Sequence, residues 1–218
     1  MKILVLIAVI VIIFLQYRMI NSRNDTYDIL QSDNPDKDKF EDIVNRKCVT
    51  VFTNVLKDLE IINNLNEQEI KFMDKNNKQI FQKKLDEHLR YYNVPICLKY
   101  NFTLNVENND FKSQINKITG YRYLHCQIKG RKKLILFNRL QDKYLYKKGN
   151  TSKIDFWNQD LIKHPLITKS KYIEIMMSPG QIIYIPYGWW MCYENLDDTE
   201  NVFVVCQSES FFSYFLKN

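Results

Sequence analysis

Residues 178–196 read SPGQIIYIPYGWWMCYENL, and this stretch decides the fold. Ser178-Pro179-Gly180 has the composition of a tight turn, and the β-branched run 182–186 comes next. Tyr187-Gly188 turns the chain again before a second strand-like run at 189–194. Working outward, the same texture repeats. Segments 124–129 and 133–137 flank a turn at Gly130, 172–177 precedes the quoted stretch, and 202–207 closes the series. The lead-in differs. A short helix is expected around Phe40, Ile43 and Val44, a strand at 48–55, and a helix near 78–92. Phe81, Leu85, His88 and Leu89 fall on one face of that helix, which makes His88 a half-buried packing residue. Helices followed by many short strands predict a mainly β domain, an all-β sandwich or barrel with flanking helices.

Four segments carry a family likeness: GRKKLILF (130–137), YLY (144–146), IDFWNQDLIKHPL (154–166) and the opening stretch. In order and spacing they resemble the JmjC/cupin-like hydroxylases, most of all the asparaginyl-hydroxylase type, over about residues 40–212. The resemblance implies a double-stranded β-helix. It also implies an Fe(II) site made by a His-x-Asp/Glu pair and a distant His, with positions left open for 2-oxoglutarate and O₂. Matched without gaps from Gly130 backward, the pair falls on Lys117 and Thr119, and the distant His falls on Met191. An ammonium repels a dication, a threonine hydroxyl is a weak neutral ligand, and a thioether prefers soft metals. The resemblance therefore implies a degenerate member, with no metal and no cofactor expected. Lys132 aligns with the lysine that meets the distal carboxylate of 2-oxoglutarate, and is expected as a vestigial cofactor position.

Side-chain direction in strands alternates. If the ligand positions face inward, Tyr123, His125 and Gln127 line the pocket too, joined by Met191, Tyr193 and Cys206. Two other metal sites can be composed from these residues. An active hydroxylase with a non-standard site would need His125 and a carboxylate such as Glu194. A soft-metal site from His125, Cys206 and Met191 has residue types that suit copper or zinc, but its spacing matches no ligand motif. Trp189 and Trp190 read as packing residues at the barrel mouth, and His164-Pro165 as a turn.

Composition bounds the rest. The chain has 218 residues, 45% hydrophobic and 26% charged, enough for a packed core, with only 5 Gly and 5 Pro. Lysine outnumbers arginine 24 to 7, asparagine reaches 22, and Ala8 is the single alanine. That is the pattern of an AT-rich coding sequence, so the net charge of +6 is weak evidence about partners. The densest basic run, Lys129-Gly130-Arg131-Lys132-Lys133, lies between two strand patterns, and no nucleic-acid partner is expected. The 5 cysteines show no C-x-x-C spacing and read as buried thiols.

At the amino terminus, residues 3–15 form an unbroken apolar run, with apolar character resuming at Met19 and Ile20. No small-residue cleavage site comes after it, so residues 1–20 are expected to be an uncleaved, single-pass membrane anchor. Residues 21–39 are polar and read as a linker, and 40–218 as the domain. Phe211, Phe212, Tyr214 and Phe215 make a tail suited to packing back or meeting a protein partner. The expectation is a membrane-anchored, catalytically degenerate JmjC/cupin-like domain that acts by binding, or as a structural component of a membrane or virion.

Overall fold

The structure, a computed structural model, describes residues 6–7, 9–11, 13–14, 24–56, 75–92, 97, 99–197 and 200–209. Two six-stranded sheets carry the fold. The larger runs β1 (Ile29–Asp33), β2 (Val49–Thr53), β10 (Ile182–Pro186), β5 (Arg122–Lys129), β12 (Asn201–Glu209), β3 (Lys99–Glu107). The smaller runs β7 (Lys147–Lys148), β8 (Thr151–Ser152), β4 (Asn116–Lys117), β11 (Trp190–Asn195), β6 (Lys132–Phe137), β9 (Ile173–Met177). Neighbours are antiparallel except β1 and β2. Apart from β1–β2 and β7–β8, neighbouring strands are not consecutive in the chain, as in two sheets that exchange strands across a sandwich.

Three apolar layers hold this together. Helices α1 (Lys37–Asn45) and α2 (Lys75–Arg90) cover the outer face of the larger sheet through Phe40, Val44, Phe81, Leu85 and Leu89. The predicted helical face of α2 is thus its buried face, with His88 half-buried and its Nε2 2.9 Å from the Val55 carbonyl. Between the sheets lie Val49, Val51, Tyr123, Leu134, Leu136, Ile183, Ile185 and Met191. Outside the smaller sheet, Ile135, Phe137, Leu145, Trp190 and Cys192 pack beneath the loop after β6.

Part of the segment expected as a linker is built into the domain. Residues 29–33 pair with β2 along their whole length, and Asp36 caps α1 by accepting from the Lys39 amide at 2.8 Å. Upstream, Asn138 donates to the Asp25 carbonyl at 2.6 Å, Arg139 reaches the Asp25 carboxylate, and the Tyr27 hydroxyl donates to the Lys171 carbonyl. Polar composition suggested a tether; these residues spend their polarity on specific partners instead.

The expected anchor lies largely outside the described residues. Its described positions, among them Leu6, Ile10 and Phe14, are helical and exposed. Among the described residues no helix is long and apolar enough to cross a membrane. The aromatic tail at 211–215 also lies outside the described residues.

Candidate functional site

The space between the sheets has two ends, set by the pairing of β6 with β11. Leu136 is opposite Met191 at one end, and Lys132 is opposite Asn195 at the other. Along β6, Lys132, Leu134 and Leu136 face this space; along β11, Met191 and Tyr193 do. Opposite them, β5 contributes Tyr123, His125 and Gln127, alternate residues of the strand.

The Lys132 end is polar and closed. Lys132 is fully buried, with Nζ 3.2 Å from the Phe203 ring centre and 4.0 Å from that of Tyr193. Its ammonium donates to Glu107 Oε2 at 3.2 Å. The other oxygen of the same carboxylate accepts from the Tyr193 hydroxyl at 2.6 Å, and Asn195 Nδ2 approaches Oε2 at 3.4 Å. Burial pulls the Lys132 ammonium down to about 7, against the opposing pull of Glu107. Burial likewise raises the Tyr193 phenol, and the Glu107 carboxylate beside it adds to the effect.

His125 stacks on Phe203 at 4.6 Å with its ring nearly parallel, and Nε2 lies 3.4 Å from Gln127 Oε1. Burial, and then the charge of Lys132, depress its pKa well below the ordinary imidazole value, so the ring is neutral. Gln127 fixes the neighbouring turn by donating to the carbonyls of Lys129 and Gly130 and to Asn201 Oδ1. Gly130 is required there: its φ is +74°, and a β-carbon would stand 2.5 Å from Asn201 Nδ2.

The Met191 end is apolar. Met191 packs among Ile118, Leu136, Ile185 and Trp189. Lys117 does not join it. Lys117 pairs with Trp190, whose side chain lies on the outer face, and Nζ reaches Asp142 at 3.0 Å. Trp190 Nε1 donates to the same carboxylate at 2.5 Å. Burial resists ionisation of Asp142, but the hydrogen bonds from Trp190 and Lys117 prevail and hold its carboxyl below the usual range. Thr119 sits apart from both, its hydroxyl 3.5 Å from Gln207 Nε2.

An expected pocket member, Cys206, and the carboxylate that a non-standard hydroxylase site would need, Glu194, fall elsewhere. Cys206 faces the helices, in the layer with Leu124 and Cys126, and not the inter-sheet space. The β12 segment NVFVVCQSE is apolar on both faces, so its composition carries no alternation from which to read direction. The pairing of β12 with β5 slips at Val202/Phe203 by skipping Ile128 of β5, so Val202, Val204 and Cys206 keep one face of β12. Glu194 lies on the outer face, paired with Lys112 and Lys133 at 3.2 Å each. His125 and Glu194 therefore cannot share an ion, nor can His125 and Cys206.

The residues present do not fit an iron site. Positions 117 and 191 open to opposite sides of the smaller sheet, and one of them carries a paired cation. Among the described residues no three His, Cys, Asp or Glu side chains converge as metal ligands would. Sequence reasoning missed Glu107 altogether, although strand 99–107 offered a signal. Tyr100, Phe102 and Leu104 alternate with Asn101, Thr103, Asn105 and Glu107, which puts the carboxylate on the polar face.

Residues 118–205 match the family described as cupin-like domain. The match holds β5, β6, β9, β10 and β11 and most of the inter-sheet space. The chain is similar to JmjC domain-containing protein D of Dictyostelium discoideum, 33% identical over 110 residues, which is 45% of this chain and 25% of that protein. It is 35% identical over 68 residues to human tRNA wybutosine-synthesizing protein 5, covering 31% of this chain and 22% of that one. Over 77 residues it is 34% identical to lysine-specific demethylase 8 of Xenopus tropicalis, covering 33% and 17%. The chain thus spans a quarter or less of the length of these relatives.

Proposed function

We propose that this is a membrane-tethered cupin-like domain that has lost iron-dependent hydroxylation and acts by binding or as a structural component. The observation that carries this reading is the fate of the three aligned ligand positions. Lys117 is bound to Asp142 outside the smaller sheet, Thr119 contacts Gln207, and Met191 is a packing residue. Such a donor set neither holds Fe(II) nor offers open positions for O₂. We take the asparaginyl-hydroxylase type as the parent pattern, on the strength of residues 178–196.

The anchor in this reading is residues 1–20, and it leaves little slack. Asn24 already contacts Cys48 Sγ at 2.9 Å, and Asp25 is held by Asn138 and Arg139. Only residues 21–23 intervene, a reach of about 14 Å at full extension. The face around Arg139, Leu140 and Lys171 would then sit against the lipid headgroups. A protein partner has an apolar feature to use in Ile162, which is 96% exposed beside the half-exposed Leu161.

The test is made on the full chain purified in detergent. Anaerobic Fe(II) titration should find no stoichiometric site, and 2-oxoglutarate should not be decarboxylated. Iron-dependent turnover that a chelator abolishes would restore the hydroxylase reading. Retention in the membrane pellet through alkaline carbonate checks the anchor separately; release into the supernatant refutes it.

A further inference from the structure

Glu107 is the last residue of β3, which among the described residues is an edge strand hydrogen-bonded to β12. From there its side chain turns into the barrel and receives an ammonium, a phenol and a carboxamide on one carboxylate. This is how a bound organic acid is held: a cation for the charge, and neutral donors that fix both oxygens. Here the acid belongs to the chain. We infer that Glu107 is a built-in carboxylate ligand of the Lys132 pocket, so that a free carboxylate binds there only where Glu107 is absent or displaced.

Three observations support this. Replacing a buried ion pair with hydrocarbon is often neutral or stabilising, and the Met191 end of the same space is filled in that way. The retained pair at the Lys132 end is therefore not needed for packing. Second, the pocket has more hydrogen-bonding capacity than the chain uses. His125 Nδ1 and Asn195 Oδ1 are buried without a partner, beside Tyr193 and Glu107 respectively. Third, Glu107 is 25 residues from Lys132 in sequence and arrives on a separate edge strand, so the contact can open without breaking β6. The inference rests on this pocket alone and is indifferent to whether iron binds at the other end.

Glu107→Gln in the full chain keeps the side chain's shape and removes its charge. Isothermal titration at pH 6, with succinate and acetate as probes, should show carboxylate affinity rising at least about tenfold over the unmodified protein. Adding Lys132→Met should abolish the gain. Glu107→Ala, which also vacates the space, should lose thermal stability and recover it in succinate. Equal carboxylate affinity in the unmodified chain and Glu107→Gln overturns the inference. So does a gain that survives Lys132→Met, because the site would then lie elsewhere.

Discussion

The two ends of the inter-sheet space share the same strands and differ in what fills them. At one end Met191, Ile118, Leu136 and Ile185 make an apolar plug. At the other, Lys132, Glu107, Tyr193, His125 and Gln127 form a buried polar cluster whose charge is neutralised from within. The contrast teaches how a barrel can close. Where apolar side chains meet, the end becomes ordinary core. Where a buried cation is kept, the fold must supply an anion, because an unpaired ammonium in that environment is not tolerated.

The largest expected effect breaks the polar end. Glu107→Ala leaves Lys132 buried and unpartnered, and urea unfolding at pH 6 should report a loss of about 3 kcal/mol. By pH 9 the loss should shrink, since Lys132 can then shed its proton. Next comes the apolar end. Met191→Ala opens a cavity worth about 2–3 kcal/mol, and that loss should be the same at both pH values. A pH-dependent loss at Met191, or a pH-independent one at Glu107, would erase the distinction between the two ends.

The unmodified protein sharpens the comparison through its own titration. Lys132 titrates near 7 when folded, against an ordinary lysine value of 10.5 when unfolded. Between those values the unfolded chain binds the extra proton, so stability rises with pH from about 7 towards 10. One such group supplies at most about 1.4 kcal/mol per pH unit. Glu107, Tyr193 and neutral His125 are the titratable groups that face it. Burial, and then Arg122, also lower Lys47 to about 8, so the same trend has a second source. Lys132→Met should therefore remove the rise between about pH 7 and 8 and roughly halve the slope above it, where Lys47 still contributes; an unchanged profile would remove Lys132 from the account.

The smallest effect is at Lys117. Its pair with Asp142 is a quarter exposed on both sides, and Asp142 keeps Trp190 and Lys147 as partners. Lys117→Met should cost less than about 1 kcal/mol. A loss comparable to that at Glu107 would mean that Lys117 belongs to the interior after all.

Much of the strand set was legible because Gly and Pro bracket it: Gly130, Ser178-Pro179-Gly180 and Tyr187-Gly188 each stand where a strand ends. Period two groups Tyr123, His125 and Gln127 on one face of β5 but does not say which face, because the reference position Lys117 turns outward. Other features depend on long-range partners that no local pattern contains. The outward turn of Lys117 is set by Asp142 and Trp190, and the direction of Cys206 by its place opposite Leu124 beneath the helices. Residues 24–33 looked like a tether because their polar side chains find partners at Cys48, Asn138 and Lys171, all distant in sequence.

The most direct test of the two-ended account is a crystal structure of the full chain grown with Mn(II), as a stand-in for Fe(II), and 2-oxoglutarate. The account predicts the Glu107 carboxylate on Lys132, side-chain density for Met191 packed against Leu136, and no metal between the sheets. A 2-oxoglutarate molecule displacing Glu107 from Lys132 and chelating a metal ion beside Met191 would contradict it.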